Sequence, residues 1–338
     1  MTSNGAPKIT IATIARLAGV SIPTVSRVVN GRSDVSPQTR ARVEELLTRH
    51  GYRRRPPSMR SSSGLIDLVF NDLDSPWAVE IIRGVEDVAH AAGVGTVVSA
   101  IHRRSSSARQ WLHNIRTRST EGIIFVTSTL EPLLQAELRR LNIPVVIVDP
   151  AGVPPQQAPT IGATNWAGSL RATEHLLGLG HRRIGFIAGP PHLMCSRARL
   201  DGYRAALEAA GLGVDDRLIR PGNFYHEAGF AGGNRLLSLP DPPSAIFAAS
   251  DQMALGVYEA VRRRGLRVPD DVSVVGFDDL PEVRWCSPPL TTVRQPLAEM
   301  GALAARTVLR LAQGERVDSP RVELATELVV RDSARRIA

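Results

Sequence analysis

Cysteine is nearly absent from this 338-residue chain. Only Cys195 and Cys286 occur, far apart and without metal-ligand spacing, so no metal site is expected. No apolar run reaches the roughly 18 residues that a membrane span needs. Residues 1–8 hold no apolar h-region, so no secretory signal is expected and a cytoplasmic location is. Lysine is scarcer still: Lys8 is the only one among 41 basic residues, an arginine bias that fits a GC-rich genome. Catalytic and nucleotide signatures are missing too, including G-x-G-x-x-G, the P-loop, H-E-x-x-H and G-x-S-x-G. Gly178-Leu179-Gly180 and Gly211-Leu212-Gly213 each lack the third glycine. No enzyme class and no cofactor is therefore expected.

What is present reads as an ordinary globular protein, 43% hydrophobic and 22% charged, long enough for two or three compact units. The net charge of +8 is unevenly spread. Residues 1–60 hold 11 Lys and Arg against 3 Asp and Glu, and the rest of the chain is balanced at 30 of each. A basic end on a neutral body points to a polyanion partner, usually nucleic acid, with a solvated basic tail as the alternative.

The local pattern of that end is helical. Thr10 can cap a helix through Ile11, Ile14, Ala15 and Leu17. Ala18-Gly19-Val20 closes a tight turn, where glycine tolerates the backbone angle. Ser21 is the next cap and Pro23 falls in a first turn, where a missing N–H costs nothing. Val25, Val28 and Val29 then share one helical face, and Asn30-Gly31 ends the helix. A third helix opens at Ser36-Pro37, carries Val43, Leu46 and Leu47 on one face, and stops at Gly51. Three short helices with a tight turn after the first form a helix-turn-helix unit. Its second helix would place Ile22, Pro23, Thr24, Ser26 and Arg27 near base edges and phosphates.

The stretches Thr10-Ile11-Ala12-Thr13-Ile14-Ala15-Arg16-Leu17-Ala18-Gly19-Val20-Ser21 and Thr24-Val25-Ser26-Arg27-Val28-Val29-Asn30 closely resemble the DNA-binding domain of LacI-type repressors. Val35-Ser36, Thr39-Arg40 and Gly51-Tyr52 fit the same domain. The resemblance implies a DNA-binding domain over residues 8–55, a linker over 56–64, and an effector-binding and dimerisation domain over 65–338. It implies DNA contacts from Thr10, Ser21, Ile22, Pro23, Thr24, Ser26, Arg27 and Asn30. Its partners would be double-stranded operator DNA, a small-molecule effector and a second copy of the chain.

The linker departs from the family pattern. Family members carry an Ala-Arg-x-Leu segment that forms a hinge helix, its leucine wedged into the minor groove. Here the segment has two prolines and four serines, poor helix formers, and no leucine. Three readings stay open: Met59 as the apolar wedge, Arg53, Arg54, Arg55 and Arg60 along phosphates or in a narrow minor groove, or a flexible tether.

From Leu65 onward, β-branched runs alternate with amphipathic stretches. Strands are expected at residues 65–70, 97–98, 122–126, 144–149, 184–189, 245–249 and 272–277. Helices are expected at 80–92, 168–179, 199–210 and 252–264. Such βα units imply parallel doubly wound sheets, and two series of them imply two lobes with a cleft at the strand ends. Further LacI-type stretches are Gly180-His181-Arg182-Arg183-Ile184, Ser250-Asp251-Gln252-Met253-Ala254-Leu255-Gly256, Val274-Val275-Gly276-Phe277-Asp278-Asp279 and Pro289-Leu290-Thr291-Thr292-Val293. The resemblance implies the periplasmic sugar-binding fold, an N-terminal all-α head joined to a two-lobed α/β domain. Lobe 1 would span 65–164 and 297–321, and lobe 2 165–296 and 322–332, with three crossings between them.

A sugar site needs planar bidentate groups for vicinal hydroxyls and an aromatic face for the ring. By resemblance, Arg199 and Asp278 match the family's effector-binding pair, and Phe224 sits where a stacking aromatic is frequent. Ser250 and Asp251 lie in a matched stretch, with Ser250 where Asn is frequent and Leu297 where an aromatic often stands. Asn71, Asp74, Trp77 and Asp149 are the polar and aromatic residues at lobe 1 strand ends. Blander roles stay open: Asp278 as a loop cap, Trp77 in the core or a dimer interface, Arg199 paired with Asp201 or Glu227. His181 begins a strand and reads as structural.

Overall fold

The computed structural model describes residues 10–29, 35–50, 64–101, 105–118, 120–127, 132–152 and 158–337. Of the expected site residues, Asn30, Arg54, Arg55 and Met59 lie outside these, as does the linker up to residue 63. The chain divides into two compact units, Met1–Ser62 and Ser63–Ala338.

The first unit is a three-helix head: α1 (Ile11–Ala18), α2 (Ile22–Val29) and α3 (Pro37–Arg49). Thr10, Ser21 and Ser36 each accept a hydrogen bond from the backbone N–H three residues on, at 3.3 Å. These caps satisfy donors that the helix itself leaves open. Gly19 (φ +66°) ends α1 in the left-handed conformation, and its N–H and that of Val20 return to the α1 carbonyls. Ile14, Ala15, Ala18, Val25, Val28 and Val43 fill the head's core.

The second unit has two lobes. The first contains β1 (Leu65–Phe70), α4 (Pro76–Ala91), β2 (Gly95–Ala100), α5 (Ser105–Arg118), β3 (Gly122–Val126), α6 (Pro132–Leu141), β4 (Val145–Val148) and β5 (Thr160–Ala163). The chain then builds α7 (Asn165–Gly178), β6 (Ile184–Ile187), α8 (Met194–Ala209), β7 (Ile219–Arg220), α9 (His226–Leu237), β8 (Ala245–Ala248), α10 (Asp251–Arg263), β9 (Ser273–Asp278) and β10 (Thr291–Arg294) in the second. It returns to lobe 1 for α11 (Leu297–Ala312) and β11 (Arg321–Leu324), and ends in lobe 2 with β12 (Glu327–Val329).

The sheet orders are β11-β5-β4-β3-β1-β2 and β12-β10-β9-β8-β6-β7. All neighbouring pairs are parallel except β10 with β12. Strands covered on both faces read as unbroken apolar runs. Accordingly β3, β6, β8 and β9 are buried at every residue. In each sheet the order reverses beside the first strand of its lobe, β1 or β6, and the carboxyl ends at such a reversal are where ligands sit in doubly wound folds.

Three segments cross between lobes: Thr164 between β5 and α7, Gln295-Pro296 between β10 and α11, and Ala325-Thr326 between β11 and β12. The third differs from the expected change at 321/322. Arg321–Leu324 pairs with β5 along its whole length, so lobe 1 keeps these residues. Lobe 2 also extends beyond 332: Ser333 bonds to Val274 and Thr291, and the Arg335 carbonyl bonds to His181. His181 is buried, its second ring nitrogen 2.8 Å from Ser244 Oγ, a structural role.

Candidate functional site

The head offers an exposed helical end. Ile22 is 53% exposed although apolar, and Pro23 and Arg27 are exposed beside it, while Val25 and Val28 on the opposite face are buried. Thr24 and Ser26 are half-buried. The Thr10 and Ser21 hydroxyls are occupied as caps, also touching the Thr13 and Thr24 hydroxyls at 3.0 and 2.8 Å.

Within the second unit, a cavity of about 120 Å³ lies between the lobes, room for several water molecules at roughly 10–15 Å³ each. Its lobe 2 wall centres on Arg199. The α8 helix begins five residues earlier than the sequence suggests, so Arg199 sits in its second turn, almost wholly buried. Nε donates to Asn165 Oδ1 at 2.8 Å, and Nη1 donates to the Ala249 carbonyl at 2.6 Å. Nη1 is 3.6 Å from Asp278 Oδ1. The guanidinium lies 3.8 Å from the Phe277 ring centre and 5.4 Å from that of Phe224. Asp278 Oδ1 also accepts from Gln295 Nε2 at 2.6 Å. Phe224 can lie across the cavity because residue 189 is glycine: a Cβ there would come within 2.1 Å of the ring.

The lobe 1 wall carries Asn71, Asp72, Trp77, Thr127 and Asp149. Asn71 Nδ2 donates to the Thr127 carbonyl at 2.7 Å, tying the ends of β1 and β3 together. Side chains meet across the lobes: Tyr225 Oη donates to Asp72 Oδ1 at 2.7 Å and Ser75 Oγ donates to Gln252 Oε1 at 3.4 Å, while Cys195 lies beside Asp149 on the cavity wall.

Backbone strain gathers here. Six described non-glycine residues have positive φ, and four of them, Thr127, Asp149, Phe224 and Asp278, line the cavity. Such conformations cost of order 1–3 kcal/mol each and persist where surrounding structure enforces them, often at ligand sites.

Burial raises the Asp278 carboxyl to about 6, against the pull of Arg199. Burial also raises Asp149, again opposed by Arg199. The Cys195 thiol is pushed well above its ordinary range by burial and then by Asp149.

Residues 10–55 match the model of bacterial regulatory proteins, lacI family, and residues 173–334 match the periplasmic binding protein-like domain. Over 329 residues the chain is 35% identical to the HTH-type transcriptional repressor CytR of Escherichia coli (strain K12), an alignment covering 96% of each chain. The chain belongs to the lacI family. It is a DNA-binding transcription regulator with a periplasmic-binding-protein-like body. Among solved lacI-family structures, it is similar to the transcriptional regulator CelR–cellobiose complex, at 34% identity and a TM-score of 0.74, covering 96% of this chain and 100% of that one. It is also similar to the Lac repressor dimer bound to operator and the anti-inducer ONPF, at 30% identity and a TM-score of 0.71, covering 97% and 100%. No described helix is long and apolar enough to cross a membrane.

Of the lacI-type effector residues expected from sequence, Asn71, Trp77, Asp149, Arg199, Phe224, Ser250 and Asp278 share the cavity. Two do not. Asp74 is exposed and outside the lining, and Asp72, nearer the end of β1, takes the place expected for it. Asp251 is wholly buried away from the cavity, its oxygens accepting from Thr292 Oγ1 at 2.5 Å and Leu280 N at 2.8 Å. Its carboxylate fastens β10 and the loop after β9. Ser250 lines the cavity, but its hydroxyl donates to the Phe224 carbonyl at 2.9 Å and accepts from Met253 N, so it chiefly holds Phe224. Arg199 pairs with Asp278 rather than with Asp201 or Glu227. Trp77 both lines the cavity and packs on the lobe 1 core. Sequence reasoning missed Asp72, Cys195, Tyr225 and Gln252. The only signal for Gln252 was its place beside Ser250 in a family stretch, and Cys195 gave none.

Proposed function

We propose that this regulator is a dimeric, cytoplasmic repressor of carbohydrate-utilisation genes whose operator affinity is set by an uncharged, sugar-containing effector held between the lobes. The observation that carries the effector class is the lobe 2 wall: a buried Arg199–Asp278 pair beside the Phe224 ring. Vicinal hydroxyls match the paired guanidinium and carboxylate, and the aromatic face matches the C–H surface of a sugar ring. Asp72, Asp149 and Asp278 on the cavity walls accept hydrogen bonds and repel anions, favouring a hydroxyl-rich ligand over a phosphorylated one. The cellobiose named with CelR supports the same reading.

In the head, Ile22, Pro23, Thr24, Ser26 and Arg27 read the major groove, with Thr10 and Ser21 at the phosphate-facing helix ends and Asn30 as a further DNA contact. Arg54 and Arg55, with Met59, extend the contact along the linker. Effector occupancy changes the relative setting of the lobes, and only a difference in affinity for the two settings alters operator binding.

A thermal-shift panel on the full chain tests the reading, with free mono- and disaccharides against sugar phosphates and nucleobases. A ligand at about 100 times its Kd adds about 2.7 kcal/mol of stability. A shift with a free sugar that Asp278→Ala abolishes is the expected result. A shift confined to sugar phosphates contradicts the effector class.

A further inference from the structure

Next to the cleft carboxylate stands a second one, Asp279, whose side chain is 1% exposed yet does not line the cavity. It is held by arginines from separate parts of lobe 2. Arg294 Nε donates to Oδ2 at 2.8 Å, Arg331 Nη2 donates to Oδ1 at 2.5 Å, and Arg284 Nη2 lies 3.6 Å from Oδ2. Asp278 and Asp279 have φ of +129° and +58°, two consecutive strained residues.

The partners' positions matter more than their number. Arg294 immediately precedes the second lobe crossing, and Gln295, in that crossing, donates to Asp278 through both its backbone and its side chain. Arg294 Nη1 also donates to Glu327 Oε2 at 3.0 Å, just after the third crossing. Arg331 follows β12, on the far side of that strand. The third crossing is bonded to the first: Thr326 N donates to Thr164 Oγ1 at 2.9 Å, and Thr326 Oγ1 donates to the Thr164 carbonyl at 3.2 Å. A continuous set of bonds therefore runs from the cleft wall through Asp279 to all three segments that join the lobes.

We propose that Asp279 is the positioning residue that couples the cleft to the lobe crossings: through Arg294 and Arg331 it holds Asp278 in its strained, cleft-facing setting and transmits any displacement of Asp278 to the segments about which the lobes move. Its importance for effector control rests on the reading of the cleft given above, whereas the mechanical coupling does not. Buried charge-assisted bonds have defined directions and few alternative arrangements, which suits a joint that must be rigid in either setting.

Asp279→Asn isolates the role. Asparagine tolerates positive φ, so local backbone preference is kept while the charge that gathers the arginines is lost. Hydrogen exchange of the full chain, read by mass spectrometry without ligand, should rise roughly tenfold in segments 276–283, 292–298 and 324–332 together, as local openings become easier. Segments 184–188 and 245–249, in the core of the same lobe, should stay at the wild-type rate. A rise confined to 276–283, or no rise, overturns the coupling. A uniform rise across the lobe also overturns it, because Asp279 would then only support stability. If Asp279→Asn does not fold, Arg294→Gln, at a half-exposed position, carries the same expectation for 276–283 and 324–332. No effector enters the measurement, so a cleft that takes no sugar leaves the coupling testable, and a failed exchange pattern leaves the effector reading standing.

Discussion

The two walls of the cleft are built on different terms. On lobe 2, Arg199, Asp278, Phe224 and Ser250 bond or pack among themselves and to Asn165, Ala249 and Gln295 within that lobe and at its crossing. On lobe 1, Asp72 accepts from Tyr225 and Ser75 donates to Gln252 across the gap, and Asp149 lies beside Cys195. The lobe 2 wall is thus held by bonds of its own lobe, while the lobe 1 wall shares bonds with the opposite lobe. Specificity should therefore reside in lobe 2 and closure in lobe 1.

Arg199→Ala should break this comparison most severely. It leaves a buried carboxylate without its cation, a loss of about 3–5 kcal/mol in denaturant unfolding, and it removes the effector response. Asp278→Asn should keep the fold and operator binding but weaken the effector at least about tenfold, the scale of one lost charge-assisted hydrogen bond. Calorimetric titration against pH sharpens the point. The Asp278 carboxyl titrates near 6 in the folded chain against an ordinary 3.8, so the native state takes up its proton first as pH falls. Between about pH 4 and 6 this group favours folding more as pH drops, while the acceptor offered to the ligand is lost. Effector affinity should fall as pH goes from 7 to 5 in the wild type and stay flatter in Asp278→Asn.

Tyr225→Phe should have the smallest effect. It removes the bond to Asp72 that closes the lobes, costing about 0.5–1.5 kcal/mol. The expected outcome is a modest rise in effector dissociation rate with the ligand preference unchanged. Altered preference among panel sugars would show that lobe 1 also selects.

Much of the architecture was legible in the chain. The caps at Thr10, Ser21 and Ser36, the turn at Gly19 and the buried apolar strands follow from local chemistry and periodicity. Short or weakly patterned pieces were not: β7 has two residues, β2 has no clean apolar run, and β11 has alternating exposure at a sheet edge, so its pairing, and with it the third lobe boundary, depends on tertiary contact. The site divided similarly. Arg199, Asp278 and Phe224 lie in family-like stretches, but strand-end position alone could not distinguish Asp72 from Asp74, which differ by two residues in a loop. Asp251 shares a motif with Ser250, yet the first turn of α10 directs it to Thr292 and Leu280. Cys195 reaches the cleft only because α8 starts at Met194, earlier than its apolar pattern suggests.

The most direct test joins both ends of the molecule. Full-length protein is used to select duplexes from a random DNA library, and the selected duplex is followed by fluorescence anisotropy while panel sugars are added. The expected result is a near-palindromic duplex whose affinity is weakened by Arg27→Ala, and at least one free sugar that changes wild-type binding but not that of Asp278→Ala. Selection of no preferred sequence, or a sugar response that survives in Asp278→Ala, would contradict it.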